Sequence, residues 1–446
     1  MAQVSALWVL QRLREHGHAA YFVGGCVRDL LLSASPQDYD IATSAHPEEV
    51  MSLFPNTIAV GAQFGVVLVV MGVEGAADNK PIHVEVATYR SDIGYSDGRH
   101  PDAVRYSETA EEDVQRRDFT INGLLLDPIA NQVLDYVGGR SDLERKIIRT
   151  IGDPIQRFQE DKLRMMRAVR FAARLGYTIE PNTMSAIREL AREIHQVSRE
   201  RIRDELDKML SEGQARLCFE LLDVSGLLVE VLPEISALKG VEQPPQYHPE
   251  GDVWIHTMML LEGLEKGCSK SLAWGVLLHD IGKPPTFRVA PDRIRFDQHA
   301  EVGTSMAEAI CRRLRFSNDV TDQVLALVAN HMRFGDVRKM KESTLKRFMR
   351  LPRFEEHLEL HRLDCSASHR DLSLYDFVRE RLANTPEQEI RPAPLISGED
   401  LIQSGRPPGP QFQTILQAVE DAQLEGTLHT REEAISFVET NFPKQN

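Results

Sequence analysis

The stretch YFVGGCVRDLLLSASPQDYDIAT, residues 21–43, decides how the first third of the chain folds. A β-type apolar run ends in the glycine pair Gly24-Gly25, and a helix-like segment carrying Arg28 follows. If the run is a strand entering a tight turn, the glycines let the backbone approach a bulky anion. Their amides and the start of the next helix then face that anion, and Arg28 adds a forked cation. Asp38 and Asp40 stand one residue apart on DYDIA. In a strand, residues i and i+2 point to one face, so both carboxylates can hold the same hard cation. Glu85, in IHVEVA, offers a third carboxylate from a neighbouring strand. A phosphate cradle beside carboxylate-bound Mg²⁺ is equipment for phosphoryl or nucleotidyl transfer. The chain has no GxxxxGK[ST] loop and no GxGxxG after a strand, so neither of those phosphate sites is expected.

Outward from this stretch, AAYFVGG, YDIAT, NTIAV, FGVVLVVMG, IHVEVATYR and NQVLDYVGG read as strands, with helices after Gly25 and after Pro47. Beyond about residue 146 the strand signal disappears. EDKLRMMRAVRFAARLGY and SRERIRDELDKMLSEG have helical periodicity, the second with Ser198 as N-cap. Helices continue to about 375. NTPEQEIRPAPLISGEDL reads as a proline-rich linker, and Thr430 with Glu433 forms a capping box in a helical tail. The fold class is α+β: an N-terminal α/β head with a mixed sheet, followed by an elongated all-α body.

The 446 residues suit several domains, and 42% hydrophobic with 27% charged content allows a sizeable core. No apolar run approaches the roughly 20 residues that cross a bilayer, so no membrane partner is expected. The N-terminus reads as an amphipathic helix and lacks signal-peptide features. Five cysteines without a CxxC pair indicate reduced thiols and a cytoplasmic protein. The net charge of −15 argues against nucleic acid, yet residues 140–174 carry ten Lys/Arg against five Asp/Glu and 312–350 ten against four. Screening confines each charge to about 8–10 Å, so such stretches can still hold a polyanion.

In order, VGGCVRDLLL…QDYDIAT, GAQFGVV, RRDFTINGLLLDP, LDYVGGRSDLERKIIRTIGDP, EDKLRMMRAVRFAARLG and RERIRDELDKML resemble the motifs of class II tRNA nucleotidyltransferases. That family comprises CCA-adding, A-adding and CC-adding enzymes and bacterial poly(A) polymerases. The resemblance covers about residues 20–210. It implies that Gly24, Gly25 and Arg28 hold a nucleoside triphosphate and that Asp38 and Asp40 bind Mg²⁺. It further implies that Arg117, beside Asp118, contacts the nucleotide with Asn122 close by, and that Asp161 and Arg164 read the incoming base. Arg167 and Arg170 complete that pocket. Helical spacing places Arg164, Arg167, Arg170 and Arg174 on one flank, where Asp161 can pair with Arg164. Residues 88–119 match a flexible-loop region that family members use in switching from C to A addition, which disfavours a CC-only enzyme. The implied partners are tRNA, ATP and CTP.

A second cluster reads H…HD…D: His256 in DVWIHTMM, His279 and Asp280 in LLHDIGKP, and Asp364 in HRLDCSASH. It resembles the HD phosphohydrolase superfamily, which implies a second divalent metal (Mn²⁺, Ni²⁺, Co²⁺ or Mg²⁺) with His299 and His331 as further ligands and Lys283 near a phosphate. The implied activity is hydrolysis of phosphomonoesters or 2′,3′-cyclic phosphates. The domains then read as head 1–145, neck 146–225, HD body 226–375, and linker with RNA-binding tail 376–446. The leading functional expectation is CCA addition to tRNA. The alternatives are an A-adding enzyme or a poly(A) polymerase, the latter disfavoured by the missing basic extension ahead of residue 24, and an HD phosphohydrolase with a non-catalytic RNA-binding head. Residues 312–350 are expected to contact tRNA. The oligomeric state is not legible.

Overall fold

The structure, a computed structural model, describes residues 1–61, 65–72, 81–93 and 103–443. Residues 62–64 of the GAQFGVV motif and 94–102 of the loop motif lie outside the described residues. The chain divides into two compact units, Met1–Pro233 and Glu234–Asn446.

The first unit is built on strands β1 (Ala20–Val23), β2 (Asp40–Thr43), β3 (Thr57–Gly61), β4 (Val66–Met71) and β5 (Ile82–Thr88). A separate hairpin, β6 (Arg90–Ile93) and β7 (Ala103–Tyr106), precedes β8 (Leu124–Asp127) and β9 (Gln132–Asp135). The seven-stranded sheet runs β3-β4-β5-β2-β1-β8-β9, and only the β2–β5 pair is parallel. Alternation does the sorting: Val84, Val86 and Thr88 are buried while Glu85 between them is not. Tyr39 is likewise buried against Phe22, its ring centroid 5.3 Å away, leaving Asp38 and Asp40 to the other side.

Three expectations need correction. IHVEVATYR is two strands, because Arg90 leaves the main sheet to start the hairpin. Strand pairing does not end at 146: Ile147–Ile148 pairs with Thr178–Ile179, and Arg288–Val289 with Ile294–Arg295, each too short for periodicity to show. The linker contains two short helices, Glu387–Ile390 and Gly398–Gln403, the second nucleated by a Ser397/Asp400 capping box. Ser198 takes the N-cap position of the helix Arg199–Ser211 without a side-chain capping bond, whereas the Thr430/Glu433 box is formed.

The second unit is helical. Its central helix, Lys270–Leu278, has eight buried residues, which explains the unbroken apolar run in the sequence. Gly282 lies directly against the start of the helix His299–Arg313. A Cβ there would sit 2.0 Å from the His299 carbonyl oxygen. Backbone cannot yield as a flexible side chain can, so Gly282→Ala is expected to destabilise this unit by about 3 kcal/mol or more. Denaturant titration followed by tryptophan fluorescence reads it, since Trp254 and Trp274 both lie in this unit.

Candidate active sites

Register brings the elements of the first site together. Val23, the residue before the glycine pair, lies opposite Asp40 across β1–β2, and Asp40 lies opposite Glu85 across β2–β5. Gly24 has φ +75°, a left-handed conformation that a side chain disfavours. Above it lies Arg117: a Cβ on Gly24 would be 3.6 Å from an Arg117 Nη atom. Arg117 is anchored through Nη2 to Asp113 at 2.9 Å.

Burial pushes the Asp40 carboxyl up to about 6, reinforced by the charges of Glu85 and Asp38 and opposed by Arg117. Glu85 is also raised, chiefly by desolvation of its carboxyl, while Arg117 and Arg90 pull it back. Three acids therefore repel one another, offset in part by Arg117 and, at Glu85, by Arg90. A hard divalent cation relieves that repulsion, and oxygen donors suit it. Asp38, Asp40 and Glu85 thus fit a divalent metal, although their oxygens do not close to within 4.8 Å as a threesome.

Behind the glycines runs a polar network. Arg28 is buried; its Nη1 donates to Asn122 Oδ1 at 2.8 Å, and its Nε and Nη2 donate to Asp29 Oδ1 at 2.8 and 2.7 Å. Asn122 Nδ2 donates to Asp118 Oδ1 at 3.2 Å. Arg167 donates to Asp118 Oδ2 through Nε and Nη2 at 2.9 and 2.6 Å. Burial alone would raise Asp118, but the charge and hydrogen bonds of Arg167 hold it down to about 2.

The expected Asp161–Arg164 pair is not formed. Asp161 accepts from Arg201 Nη2 at 2.7 Å, and Arg164 Nη1 donates to Glu160 Oε2 at 2.6 Å. Asp161 lies just ahead of the helix Leu163–Leu175, with an extended backbone, so one-turn helical spacing does not apply to it. Arg170 is buried, and its Nε donates to Glu205 Oε2 at 2.7 Å. Arg201 and Glu205 escaped the sequence reading because their partners lie far away along the chain.

The second site gathers all six expected ligands. His256 comes from the helix Val253–Glu262, His279 and Asp280 follow Lys270–Leu278, His299 opens His299–Arg313, His331 follows Asn318–Asn330, and Asp364 lies on Phe354–Ala367. They fall into two threesomes, His256–His279–Asp364 and Asp280–His299–His331, whose donor atoms lie within 4.8 Å of one another. His279, His299 and His331 each place Nδ1 at 2.6–2.8 Å from a backbone carbonyl, of Val276, Phe296 and Val328. A carbonyl only accepts, so each Nδ1 carries the proton and each Nε2 presents a lone pair to the site. The Nε2 atoms of His299 and His331 face each other at 3.2 Å. Two lone pairs at that distance, and the buried His279 Nε2 without a hydrogen-bond donor, fit a divalent cation.

Lys283 Nζ lies 2.7 Å from Asp280 Oδ2 and donates to Gln243 Oε1 at 2.6 Å. Sequence reasoning missed Gln243 and Glu250. Glu250 Oε1 lies 2.7 Å from His256 Nδ1 and 2.8 Å from His248 Nδ1, orienting His256 towards Asp364, whose Oδ1 is 3.1 Å from Nε2. Asp280, His299, His331 and Asp364 open onto a cavity of about 510 Å³ lined also by Tyr247, Arg293, Arg295 and Phe296.

The basic stretch 312–350 is partly spent within the chain. Arg313 pairs with Glu234, Arg347 with Glu420 and Asp421, and Arg350 with Glu420, while Lys346 donates to the Leu424 carbonyl. These four tie helices of the second unit together, so the stretch offers less charge to a polyanion than its composition suggests.

Residues 20–149 match the family model described as the poly A polymerase head domain, 176–239 that of the probable RNA and SrmB-binding site of polymerase A, and 252–363 the HD domain. The CCA-adding enzyme of Geobacillus sp. strain WCH70 is 34% identical over 436 residues, 96% of this chain and 95% of that enzyme. That of Geobacillus stearothermophilus is 45% identical over 222 residues, so there the match spans about half of each chain, 50% and 53%. The crystal structure of the Bacillus stearothermophilus CCA-adding enzyme in complex with CTP matches with a TM-score of 0.74 at 29% identity, covering 98% of this chain and 96% of that one. With the glycine turn beside paired acids in the first unit and the histidine–aspartate cluster in the second, these relationships establish that the chain belongs to the CCA-adding enzyme family of nucleotidyltransferases.

Proposed function

We propose that this protein adds C, C and A to the 3′ end of tRNA from CTP and ATP, without a nucleic-acid template, releasing diphosphate. The observation that carries the reading is the register that sets Asp40 beside both Glu85 and the residue before the glycine pair. Asp38, Asp40 and Glu85 would hold Mg²⁺, which when bound neutralises developing charge and lowers the pKa of the attacking hydroxyl. Gly24 and Gly25 let the triphosphate approach the backbone, and Arg28 and Arg117 supply the cations that orient it. Asp161 and Arg164 read the incoming base, each anchored by its own partner, Arg201 and Glu160. Good bidentate contacts of this kind discriminate bases by about 1–3 kcal/mol. Arg167 and Arg170 fix the helix that carries Arg164. We place the head at 1–145, the neck at 146–225, the HD body at 226–375 and the tail at 376–446, so that residues 226–233 of the body fall in the first compact unit.

Purified protein incubated with tRNA lacking the whole CCA triplet, and with one triphosphate at a time, should incorporate CMP. Incorporation of AMP alone, and only into tRNA ending in CC or as a tail, would move the reading to A addition or poly(A) synthesis. The pH dependence has a definite sign. Mg²⁺ binds the ionised carboxylate, and Asp40 ionises only near 6. The Mg²⁺ concentration for half-maximal CMP addition should therefore rise about tenfold per pH unit below 6 and level off above it. A requirement that stays flat from about pH 5 to 7 goes against Asp40 as a ligand.

The converging imidazole lone pairs favour a second activity. The six HD-site residues would hold Mn²⁺, Ni²⁺, Co²⁺ or Mg²⁺, supplying an activated water for hydrolysis of phosphomonoesters or 2′,3′-cyclic phosphates, with Lys283 beside the phosphate.

A further inference from the structure

Phe171, buried in the helix Leu163–Leu175, is the meeting point of three guanidinium groups. Arg170 lies 4.5 Å from its ring centroid, Arg167 5.3 Å and Arg28 5.4 Å, and Phe119 packs edge-on at 5.8 Å. Cations crowded in a buried place repel unless something with negative potential separates them, and an aromatic face does so most strongly where water is excluded. Arg170 has its own anchors in Glu205 and Glu212. Arg28 is paired with Asp29 and Arg167 with Asp118. These two arginines are joined through Asn122 and Asp118 as well as through the ring, so five side chains form a closed loop.

That loop has little slack. Asn122 uses its amide oxygen for Arg28 and its nitrogen for Asp118. Asp118 spends one oxygen on Asn122 and the Phe119 amide, and the other on Arg167. Apart from its chain neighbour Asp29, Arg28 is tied through Asn122, so a shift of Arg28 as it meets a triphosphate is passed through Asn122 and Asp118 to Arg167. We propose that this loop couples triphosphate contact at Arg28 to base selection by the Leu163–Leu175 helix, and that Phe171 is the positioning residue that sets the coupling. The inference rests on the nucleotide assignment made above. Its consequence is that base discrimination is fully expressed only when a triphosphate is seated.

A double-mutant cycle tests it, with Arg28→Lys and Arg167→Lys read as kcat/KM for CTP on tRNA lacking CCA. In the otherwise native chain the two effects should depart from additivity by about fivefold or more. In a Phe171→Leu background the departure should fall below about twofold, and kcat/KM for UTP relative to CTP should rise by about fivefold. Phe171→Tyr keeps the ring face and should restore both. Asn122→Ala opens the polar arm and should weaken the coupling without touching the ring, which covers the case in which Phe171→Leu fails to fold. A purely structural role predicts something else: a lower Tm, a uniform loss with both triphosphates and an unchanged cycle. That outcome, or additivity in the native chain, overturns the proposal. Should Asp40→Ala leave CMP addition intact, the nucleotide assignment itself fails and takes the coupling with it. An additive cycle in an enzyme that Asp40→Ala inactivates removes the coupling alone.

Discussion

Asp40→Ala is expected to lower CMP incorporation into tRNA lacking CCA by about 10³-fold, roughly 4 kcal/mol of transition-state stabilisation, while leaving the chain folded. Asp40 is the acid opposite both Glu85 and Val23, so on the proposed reading its loss would remove the central ligand position of the site. Asp40→Asn separates this role from stability. The Asp40 carboxyl is pushed up to about 6 in the fold, chiefly by burial and then by Glu85, against 3.8 for an ordinary aspartate. A raised carboxylate favours the folded state while protonated, and its destabilising effect grows as pH rises from about 4 and is complete above about 6. Neutral asparagine removes that effect. In the presence of a chelator the Asn variant should therefore be more stable than the native chain at pH 8, by about 2–3 kcal/mol, and no more stable at pH 4. Denaturation at the two pH values checks it. A variant that is inactive and also less stable at pH 8 would mean that the site owes its geometry to Asp40 as a structural residue.

How much of this was legible in the sequence follows from the range of each interaction. The glycine pair, Asp38, Asp40 and Glu85 announce themselves because strand alternation is a local rule: Tyr39 turns into the core and its neighbours must turn out. That Asp40 would meet Glu85 is a register, and nothing local sets the register of a parallel pair. β8 escaped notice because LLLD is a four-residue apolar run, next to the edge strand β9, with no alternation to mark it. The Asp161–Arg164 pairing failed for a related reason. Three-residue spacing predicts contact only inside a helix, and Asp161 stops short of one. In the HD unit the order of ligands was readable, yet Glu250 and Gln243 were not, since each acts through a tertiary contact on a residue that chemistry singles out.

Glu250 leads to the second large expected effect, at the HD site. His256 is held between two carboxylates, Glu250 on Nδ1 and Asp364 on Nε2. Burial opposes a charge on this imidazole, but the two carboxylates outweigh it and push the pKa up to about 9. At pH 7.5 the metal-free site therefore keeps a proton on both His256 nitrogens. A divalent cation needs the Nε2 lone pair, so its binding must expel that proton. His331, lowered to about 4 by burial and by the neighbouring His279, is already neutral and releases nothing. Titration calorimetry with Mn²⁺ at pH 7.5 should accordingly show an enthalpy that varies with the ionisation heat of the buffer, with a slope of about one proton released. Raising the pH through about 9 should strengthen binding and bring the slope towards zero. His279→Ala should weaken Mn²⁺ binding by at least about 10²-fold, through loss of a ligand whose Nε2 otherwise has no partner, and leave CMP addition within about twofold. A slope near zero at pH 7.5 would place the proton elsewhere, and Mn²⁺ binding untouched by His279→Ala would take the six residues out of metal chemistry altogether.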